Sequence, residues 1–149
     1  MNLNNYREFS LKIIFLSLFL LFNIFAKEVG KVEKVIVDEE EKLVALVQRD
    51  NEVLNLKDVG FVVHQNDIIK TYKKSKLKIR FLDDTIIYIG PKTTLEIAKY
   101  YYDKENKENN ATNLKILNGS FRLKTGKIGE LAPEQFKIDT KFSVIGIRG

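Results

Sequence analysis

Residues 76–82 read KLKIRFL, and this stretch decides the fold class. Apolar and basic residues alternate through it with a period of two, which places one kind on each face of a β-strand. The apolar positions are Leu77, Ile79 and Phe81, and the basic positions are Lys76, Lys78 and Arg80. The stretch therefore predicts a strand with one buried face and one solvated face.

The same alternation returns in short segments on the C-terminal side of this strand. The apolar pairs are Leu95 and Ile97, Leu114 and Ile116, Phe121 and Leu123, and Phe136 and Ile138. Repeated short strands separated by turns predict an all-β domain. Two architectures fit this rhythm equally: an antiparallel sandwich, or a stack of short strands of the β-roll or β-helix type.

Turn-forming residues separate these strands. They are Asp83-Asp84, Gly90-Pro91, Asn118-Gly119 and Gly126. An Asn-Gly pair between two alternating segments is typical of a two-residue β-hairpin. We therefore expect the strands on either side of Asn118-Gly119 to pair with each other.

Two segments interrupt the rhythm of short strands. In residues 37–48 an acidic run precedes LVALVQ, which predicts a turn followed by a strand. Residues 103–113 read DKENKENNATN and contain almost no apolar residue. This second segment is typical of an exposed loop that contributes nothing to the core.

The N-terminus has the pattern of a secretory signal peptide. A polar segment with Arg7 and Lys12 precedes residues 13–26, IIFLSLFLLFNIFA, which carry no charge. This apolar run is shorter than the roughly 20 residues that a membrane-spanning helix needs. We expect a signal helix over residues 1–26, a single domain over residues 27–149, and location in the periplasm or cell envelope. Contact with the membrane is expected only through the signal segment where it stays uncleaved.

The composition leaves few residues for catalysis. The chain has no cysteine and one histidine, His64, with a formal net charge of +5. Disulfides, thiolate metal sites and a cysteine nucleophile are thereby excluded. The sequence contains no arrangement of nucleophile, base and metal ligands that would define an active site. We expect a protein that is not an enzyme and has no catalytic residue, metal or cofactor.

The densest basic patch surrounds the strand at residues 76–82. Lys76, Lys78 and Arg80 share its solvated face, where they could contact phosphate or an anionic glycan. The simpler interpretation is a solvated face whose charges prevent aggregation, and we favour it because acidic residues balance the patch elsewhere. These three residues are the candidate surface contacts.

Three other features have a functional and a structural interpretation. The Asp residues 67, 83, 84 and 139 could bind calcium, but their spacing does not converge on an ion and favours turn capping. Tyr100-Tyr101-Tyr102 could form an aromatic platform, although alternation along a strand puts at most two of them on one face. His64 lies in no recognisable catalytic motif and is expected to be an ordinary residue at a strand edge.

From Gly30 onward the order of motifs resembles the FecR domain, a periplasmic β module named for the ferric-citrate regulator. The matching segments are Gly30-Lys31-Val32, Asn66-Asp67-Ile68-Ile69, Phe81-Leu82-Asp83-Asp84-Thr85, Gly90-Pro91-Lys92-Thr93, Leu117-Asn118-Gly119, Thr125-Gly126-Lys127-Ile128 and Gly146-Ile147-Arg148-Gly149. Asp84 stands where the family usually has glycine, and Lys141 where it usually has proline. The family pattern continues past the position of Gly149, so the resemblance implies a domain truncated at its C-terminus.

The resemblance implies structural roles for the motif residues. They are Asp67, Thr71, Phe81, Asp83, Asp84, Gly119, Gly126, Thr140, Gly146, Arg148 and Gly149. Arg148, which lies between Gly146 and Gly149, is expected to pair with a carboxylate such as Asp67 or Asp84.

The best-known family members relay a transporter signal to a sigma factor through a cytoplasmic helical domain. About a dozen residues precede the apolar segment here, so we do not expect this relay. The expected function is non-enzymatic binding of an envelope protein or anionic polymer in the periplasm, without nucleic acid. The alternative is a component of a ligand-sensing signal-transduction system related to FecR-type regulation.

Overall fold

The computed structural model describes residues 27–38 and 43–146. The predicted signal segment, Arg148 and Gly149 lie outside the described residues. Within them the chain forms twelve β-strands and one short α-helix, α1, at Lys127–Leu131. The strands are β1 Glu28–Ile36, β2 Ala45–Arg49, β3 Glu52–Leu56, β4 Val62–His64, β5 Ile68–Thr71, β6 Lys76–Phe81, β7 Ile86–Ile89, β8 Thr94–Tyr101, β9 Ala111–Asn118, β10 Phe121–Lys124, β11 Phe136–Thr140 and β12 Val144–Gly146. Two single-turn 3-10 helices lie at Lys107–Asn109 and Pro133–Gln135.

The strands form two open sheets in the described part of the chain. The five-stranded sheet has the order β10-β7-β6-β1-β4, and the seven-stranded sheet has the order β12-β11-β9-β8-β5-β2-β3. The chain alternates between them, and it never places more than two consecutive strands in the same sheet. Both sheets are consequently built from segments that are distributed along almost the whole described chain.

One hydrophobic core lies between the two sheets and is lined by both of them. In β6 the alternation is as predicted: Leu77, Ile79 and Phe81 are at most 2% exposed, whereas the basic residues between them face outward. The other apolar pairs behave similarly. Leu95, Ile97, Leu114, Ile116, Phe136 and Ile138 are buried, and Phe121 and Leu123 pack partly buried against the core. The prediction of an all-β domain is confirmed.

The predicted hairpin at Asn118-Gly119 is wrong. The turn joins β9 in the seven-stranded sheet to β10, which pairs with β7 in the five-stranded sheet. Gly119 has a φ of +96°, so the Asn-Gly pair does supply a left-handed turn. The turn takes the chain from one sheet to the other across the core. Phe121 and Leu123 of β10 then pack against the core from the five-stranded sheet, where β10 lies beside β7.

One strand pair departs from the expected antiparallel arrangement. β11 runs parallel to β9, with Leu114 opposite Ile138. Parallel neighbours need a crossover of about a dozen residues or more. Here β10, α1 and the second 3-10 helix supply that crossover between the ends of β9 and β11. The remaining strand pairs between described residues are antiparallel.

Of the two segments that interrupt the rhythm of strands, residues 37–48 and 103–113, the second differs from prediction at its C-terminal end. The strand expected after the acidic run is present as β2, whereas residues 39–42 of the predicted turn lie outside the described residues. Residues 103–109 are a mostly exposed connection, but β9 begins at Ala111, and Asn110, Ala111 and Thr112 are at most 5% exposed. The prediction that residues 103–113 contribute nothing to the core is therefore wrong for residues 110–112. Their side chains are small or polar, and a hydrophobicity pattern does not distinguish them from a loop.

Candidate binding face of the five-stranded sheet

The outer surface of the five-stranded sheet carries basic residues in register across neighbouring strands. Lys34 in β1 lies opposite Lys78 in β6, Lys78 lies opposite Tyr88 in β7, and Tyr88 lies opposite Arg122 in β10. Strands are about 4.8 Å apart, so this row extends roughly 14 Å. We name this surface the basic face. Its residues are Lys34, Lys76, Lys78, Arg80, Tyr88, Arg122 and Lys124.

Glu33 partly compensates the basic face. It lies at an irregularity of the β1–β6 pairing between Val32 and Lys34. Its carboxylate pairs with Arg80 and, at 2.6 Å, with Lys78. Hydrogen bonds from Arg80 and then Lys78 hold the pKa of Glu33 below its usual value. Two of the three candidate contact residues therefore already have an acidic partner.

Four cations of the basic face have no acidic partner among the described residues. They are Lys34, Lys76, Arg122 and Lys124, and all are exposed. Of these four, only Lys76 was predicted from the sequence as a surface contact. The others occupy alternate positions in β1 and β10, but the strand order that brings them beside β6 and β7 is not encoded in any local pattern.

Three adjoining clefts cover the basic face. A cleft of about 440 Å³ extends from Lys34 and Lys76 to Tyr88 and Arg122. It shares Tyr88 and Arg122 with a second cleft of about 380 Å³ that reaches Lys124. It also shares Lys34 and Lys78 with a third cleft of about 610 Å³ beside β1. The concave surface thus continues across β1, β6, β7 and β10.

Asp83 is the centre of a buried hydrogen-bond network. Its carboxylate is inaccessible to solvent and accepts bonds from the Thr85 amide at 3.2 Å and hydroxyl at 2.7 Å. The Ile128 amide and the Tyr100 hydroxyl donate to it at 3.1 and 2.9 Å. Burial, followed by the adjacent Asp83 carboxylate, raises the pKa of Tyr100. The carboxylate is therefore saturated by protein donors.

Gly126 attaches α1 to this network. Its amide donates to the Thr85 hydroxyl at 2.9 Å, and the Lys127 amide donates to the Asp83 carbonyl at 2.7 Å. A side chain at Gly126 would collide with the backbone of residues 83–85. The family motif residues of the segments Phe81-Leu82-Asp83-Asp84-Thr85 and Thr125-Gly126-Lys127-Ile128 therefore contact each other directly. Phe81 contributes a stacked contact with Tyr100, with ring centroids 5.3 Å apart.

Asp67 is paired with Arg49, a residue that no motif in the sequence identifies. The Arg49 guanidinium donates to both Asp67 carboxylate oxygens at 2.8 Å and to the Val62 carbonyl at 2.9 Å. The His64 amide also donates to Asp67 at 2.8 Å. Asp84 instead lies 3.4 Å from Arg80, at a φ of +66°, so it adopts the left-handed conformation expected where the family has glycine. The proposed Arg148 pairings fall outside the described residues.

Thr71 and Gly119 meet beside Thr93. The Thr71 hydroxyl donates to the Gly90 carbonyl at 2.6 Å and accepts from the Thr93 amide at 2.9 Å. The Thr93 side chain occupies the space that a Cβ at Gly119 would need. These motif residues therefore secure the crossover between β9 and β10.

The remaining motif residues lie at the C-terminal edge of the described chain. The Thr140 hydroxyl accepts from the Ser143 amide at 3.1 Å and so caps the turn between β11 and β12. Gly146 is exposed at the end of β12. Phe142, Val144 and Ile145 are also exposed there, with Phe142 90% exposed.

The alternative sites do not assemble in the described residues. The Asp residues considered for calcium serve separate contacts, and no group of three or more His, Asp or Glu residues in residues 27–38 and 43–146 could hold a metal ion. Tyr100 is buried and Tyr101 is exposed, in agreement with the predicted alternation. Burial, followed by the charge of Arg49, lowers the pKa of His64. Across these same ranges, the helices are all too short or too polar to cross a membrane.

The fold and its motif residues define an all-β domain whose turns and crossovers are held by buried polar contacts. The family model described as FecR protein matches residues 67–149, more than half of the chain. The chain therefore belongs to the FecR family, which is a family of signal-transduction regulators. Neither the comparison with curated proteins nor the comparison with solved structures found a match.

Proposed function

We propose that this protein is a non-enzymatic, exported FecR-domain module that binds an anionic polymer of the cell envelope through the basic face. The observation that carries the proposal is the set of four exposed cations without an acidic partner in the described chain. A polymer suits the face better than a small ligand because three connected clefts extend across four strands. Association is driven by complementary charge and weakened by salt.

The binding experiment compares two variants with the same change in charge. In the first, Lys34, Lys76, Arg122 and Lys124 are all replaced by Gln. In the matched control, the exposed Lys57, Lys70, Lys99 and Lys137, which lie outside the basic face, are replaced by Gln. The purified full chain and both variants are titrated with polygalacturonate, polyphosphate and polyglutamate.

We expect wild-type protein and the control to bind polygalacturonate with similar affinity. The basic-face variant should lose binding by at least about tenfold, and wild-type binding should weaken steeply between about 50 and 200 mM salt. Equal losses in the two variants would show that net charge, and not the basic face, drives binding. If the protein bound polyglutamate and neither of the other two polymers, the partner would be an acidic protein and not an envelope polymer.

Export is part of the same proposal and rests on the charge-free segment at residues 13–26. A fusion of residues 1–60 to a reporter that is active only in the periplasm should be active. Replacing Leu18 and Leu20 by Arg interrupts the apolar segment and should abolish that activity. An inactive wild-type fusion would refute the proposed location.

Membership of the FecR family favours a second candidate function, a component of a ligand-sensing signal-transduction system. In that case the protein should act together with a regulator encoded nearby. Deleting the gene should alter transcription of an adjacent transporter operon when that transporter's ligand is present. Unchanged transcription with and without the ligand would remove this candidate.

A further inference from the structure

Tyr88 gives the basic face an exposed aromatic ring, which the binding of an anion by charge alone does not need. It is 44% exposed and lies between Lys78 and Arg122 in the row that begins at Lys34. It also lies at the boundary shared by two of the clefts. A polymer that occupies both clefts therefore lies beside Tyr88 and Arg122, the residues that the two clefts share.

The two cations beside Tyr88 differ in their availability. The Lys78 ammonium group is 2.6 Å from the Glu33 carboxylate and 5.9 Å from the centre of the Tyr88 ring. Arg122, on the opposite side of Tyr88, has no acidic partner in the described ranges. A new anion is therefore accommodated at Arg122, whose planar guanidinium can form two parallel hydrogen bonds with a carboxylate.

An exposed aromatic ring beside a free guanidinium fits a ligand that has an apolar ring face and an acidic group on the same unit. A sugar ring presents a face of C–H groups that can pack on tyrosine, and a uronic acid carries a carboxylate on that ring. Polyphosphate and acidic peptides satisfy the cations but have no ring to place on Tyr88. The combination therefore favours an acidic polysaccharide.

We propose that the basic face binds an acidic polysaccharide with one sugar ring packed on Tyr88 and its carboxylate paired with Arg122. This proposal rests on the proposed function and specifies its ligand class. Lys34, Lys76 and Lys124 contact the acidic groups of neighbouring sugar units along the connected clefts. Specificity for sugar comes from Tyr88, whereas the salt-dependent attraction comes from the cations.

The test compares Tyr88→Thr and Tyr88→Phe in the full chain, with Tyr101→Thr as the matched control. Threonine suits a β-strand, and phenylalanine keeps the ring while removing the hydroxyl. Tyr101 is 37% exposed, and it lies in the other sheet. The probes are polygalacturonate, polyphosphate and neutral dextran, and thermal denaturation establishes that each variant folds.

Tyr88→Thr should weaken polygalacturonate binding by about tenfold and leave polyphosphate binding unchanged. Tyr88→Phe and Tyr101→Thr should stay within about twofold of wild type, because both keep an aromatic ring at residue 88. Arg122→Lys, which keeps the charge but loses the paired hydrogen bonds, should fall between wild type and Tyr88→Thr for polygalacturonate.

Unchanged polygalacturonate binding in Tyr88→Thr, with binding still lost in the four-cation variant, overturns the sugar assignment and leaves the proposed function intact. Equal loss of polygalacturonate and polyphosphate binding in Tyr88→Thr also overturns it. Binding of none of the anionic probes by wild-type protein overturns both proposals. Should Tyr88→Thr fail to fold, Tyr88→Val takes its place, since valine also suits a β-strand and has no ring. Unchanged selectivity for polygalacturonate over polyphosphate in that variant contradicts the assignment.

Discussion

Asp83 and Asp84 are adjacent residues of the same type with opposite environments. The Asp83 carboxylate is buried and accepts four hydrogen bonds, whereas the Asp84 side chain is exposed at a positive φ. Both belong to the family motif, and the sequence does not distinguish them. Their difference arises because the inward and outward alternation of β6 continues past Phe81, with Leu82 exposed, Asp83 buried and Asp84 exposed.

Asp83→Asn should lower the free energy of unfolding by about 2–4 kcal/mol, because one acceptor oxygen becomes an amide that faces the Thr85 hydroxyl and Ile128 amide donors. Asp84→Gly is the matched control and should stay within about 1 kcal/mol of wild type, since glycine accepts the left-handed conformation. Urea denaturation measures both values. Similar effects at the two positions would contradict the buried network.

His64 should make stability depend on pH in mild acid. Burial and then Arg49 lower its pKa in the folded state below the ordinary value of 6.5, while Asp67, Glu28 and Asp50 act in the opposite direction. The folded state therefore binds its proton less readily than the unfolded state. The resulting stability is present above about pH 6.5 and is lost as the pH falls through the lowered folded value.

The measurement is the melting temperature of wild type and His64→Gln between pH 7.5 and 5.0. The wild-type curve should fall more steeply than that of the variant, because glutamine does not take up a proton. Parallel curves would show that His64 is not the group responsible.

At the scale of elements, the crossover between β9 and β10 depends on Gly119. Gly119 combines a φ of +96° with a side chain, that of Thr93, in the space where a Cβ would lie. Gly60 has a similar φ of +89° but open space around it. A substitution at Gly60 therefore introduces backbone strain alone, whereas a substitution at Gly119 introduces both backbone strain and a steric clash.

Gly119→Ala should destabilise the protein by about 3 kcal/mol or more, and Gly60→Ala by about 1 kcal/mol. Chemical denaturation of both variants tests the difference. Equal losses would mean that the Thr93 contact relaxes without cost and does not secure the crossover.

The sequence predicted six of the twelve described strands, β2, β6, β8, β9, β10 and β11, whereas it predicted none of their partners correctly. Alternation in 76–82 identifies β6 and its outward face, because the period of two is a local property of the backbone. The Asn118-Gly119 pattern identifies a turn, but pairing of the strands beside it depends on which sheet can bury Phe121 and Leu123. The basic face was predicted only at β6 for the same reason, since Lys34 and Arg122 join it through strand order.

At the scale of the whole molecule, Arg49 connects the two sheets. It extends from β2 in the seven-stranded sheet to the Val62 carbonyl in β4 of the five-stranded sheet and to the buried Asp67. No local pattern pairs Arg49 with a carboxylate 18 residues away. The contact depends on the arrangement of both sheets, which the sequence pattern does not indicate.

Arg49→Lys should lower the free energy of unfolding by about 2 kcal/mol, because lysine cannot reproduce the paired bonds to a buried carboxylate. Lys115→Gln removes the more exposed ion pair with Glu96 and should lower it by less than about 1 kcal/mol. The comparison is made by urea denaturation at constant salt. Equal effects would show that the Arg49 contact adds nothing beyond an ordinary surface pair.

The alternation of the chain between sheets also determines how the molecule tolerates a break in its backbone. A cut in the exposed connection at residues 104–109 would leave one fragment with β1 to β8 and another with β9 to β12. The smaller fragment supplies β10 beside β7 in one sheet and β9 beside β8 in the other. Two such fragments would complete a single core when they associate, and the smaller fragment alone would keep only a minor part of the buried core residues.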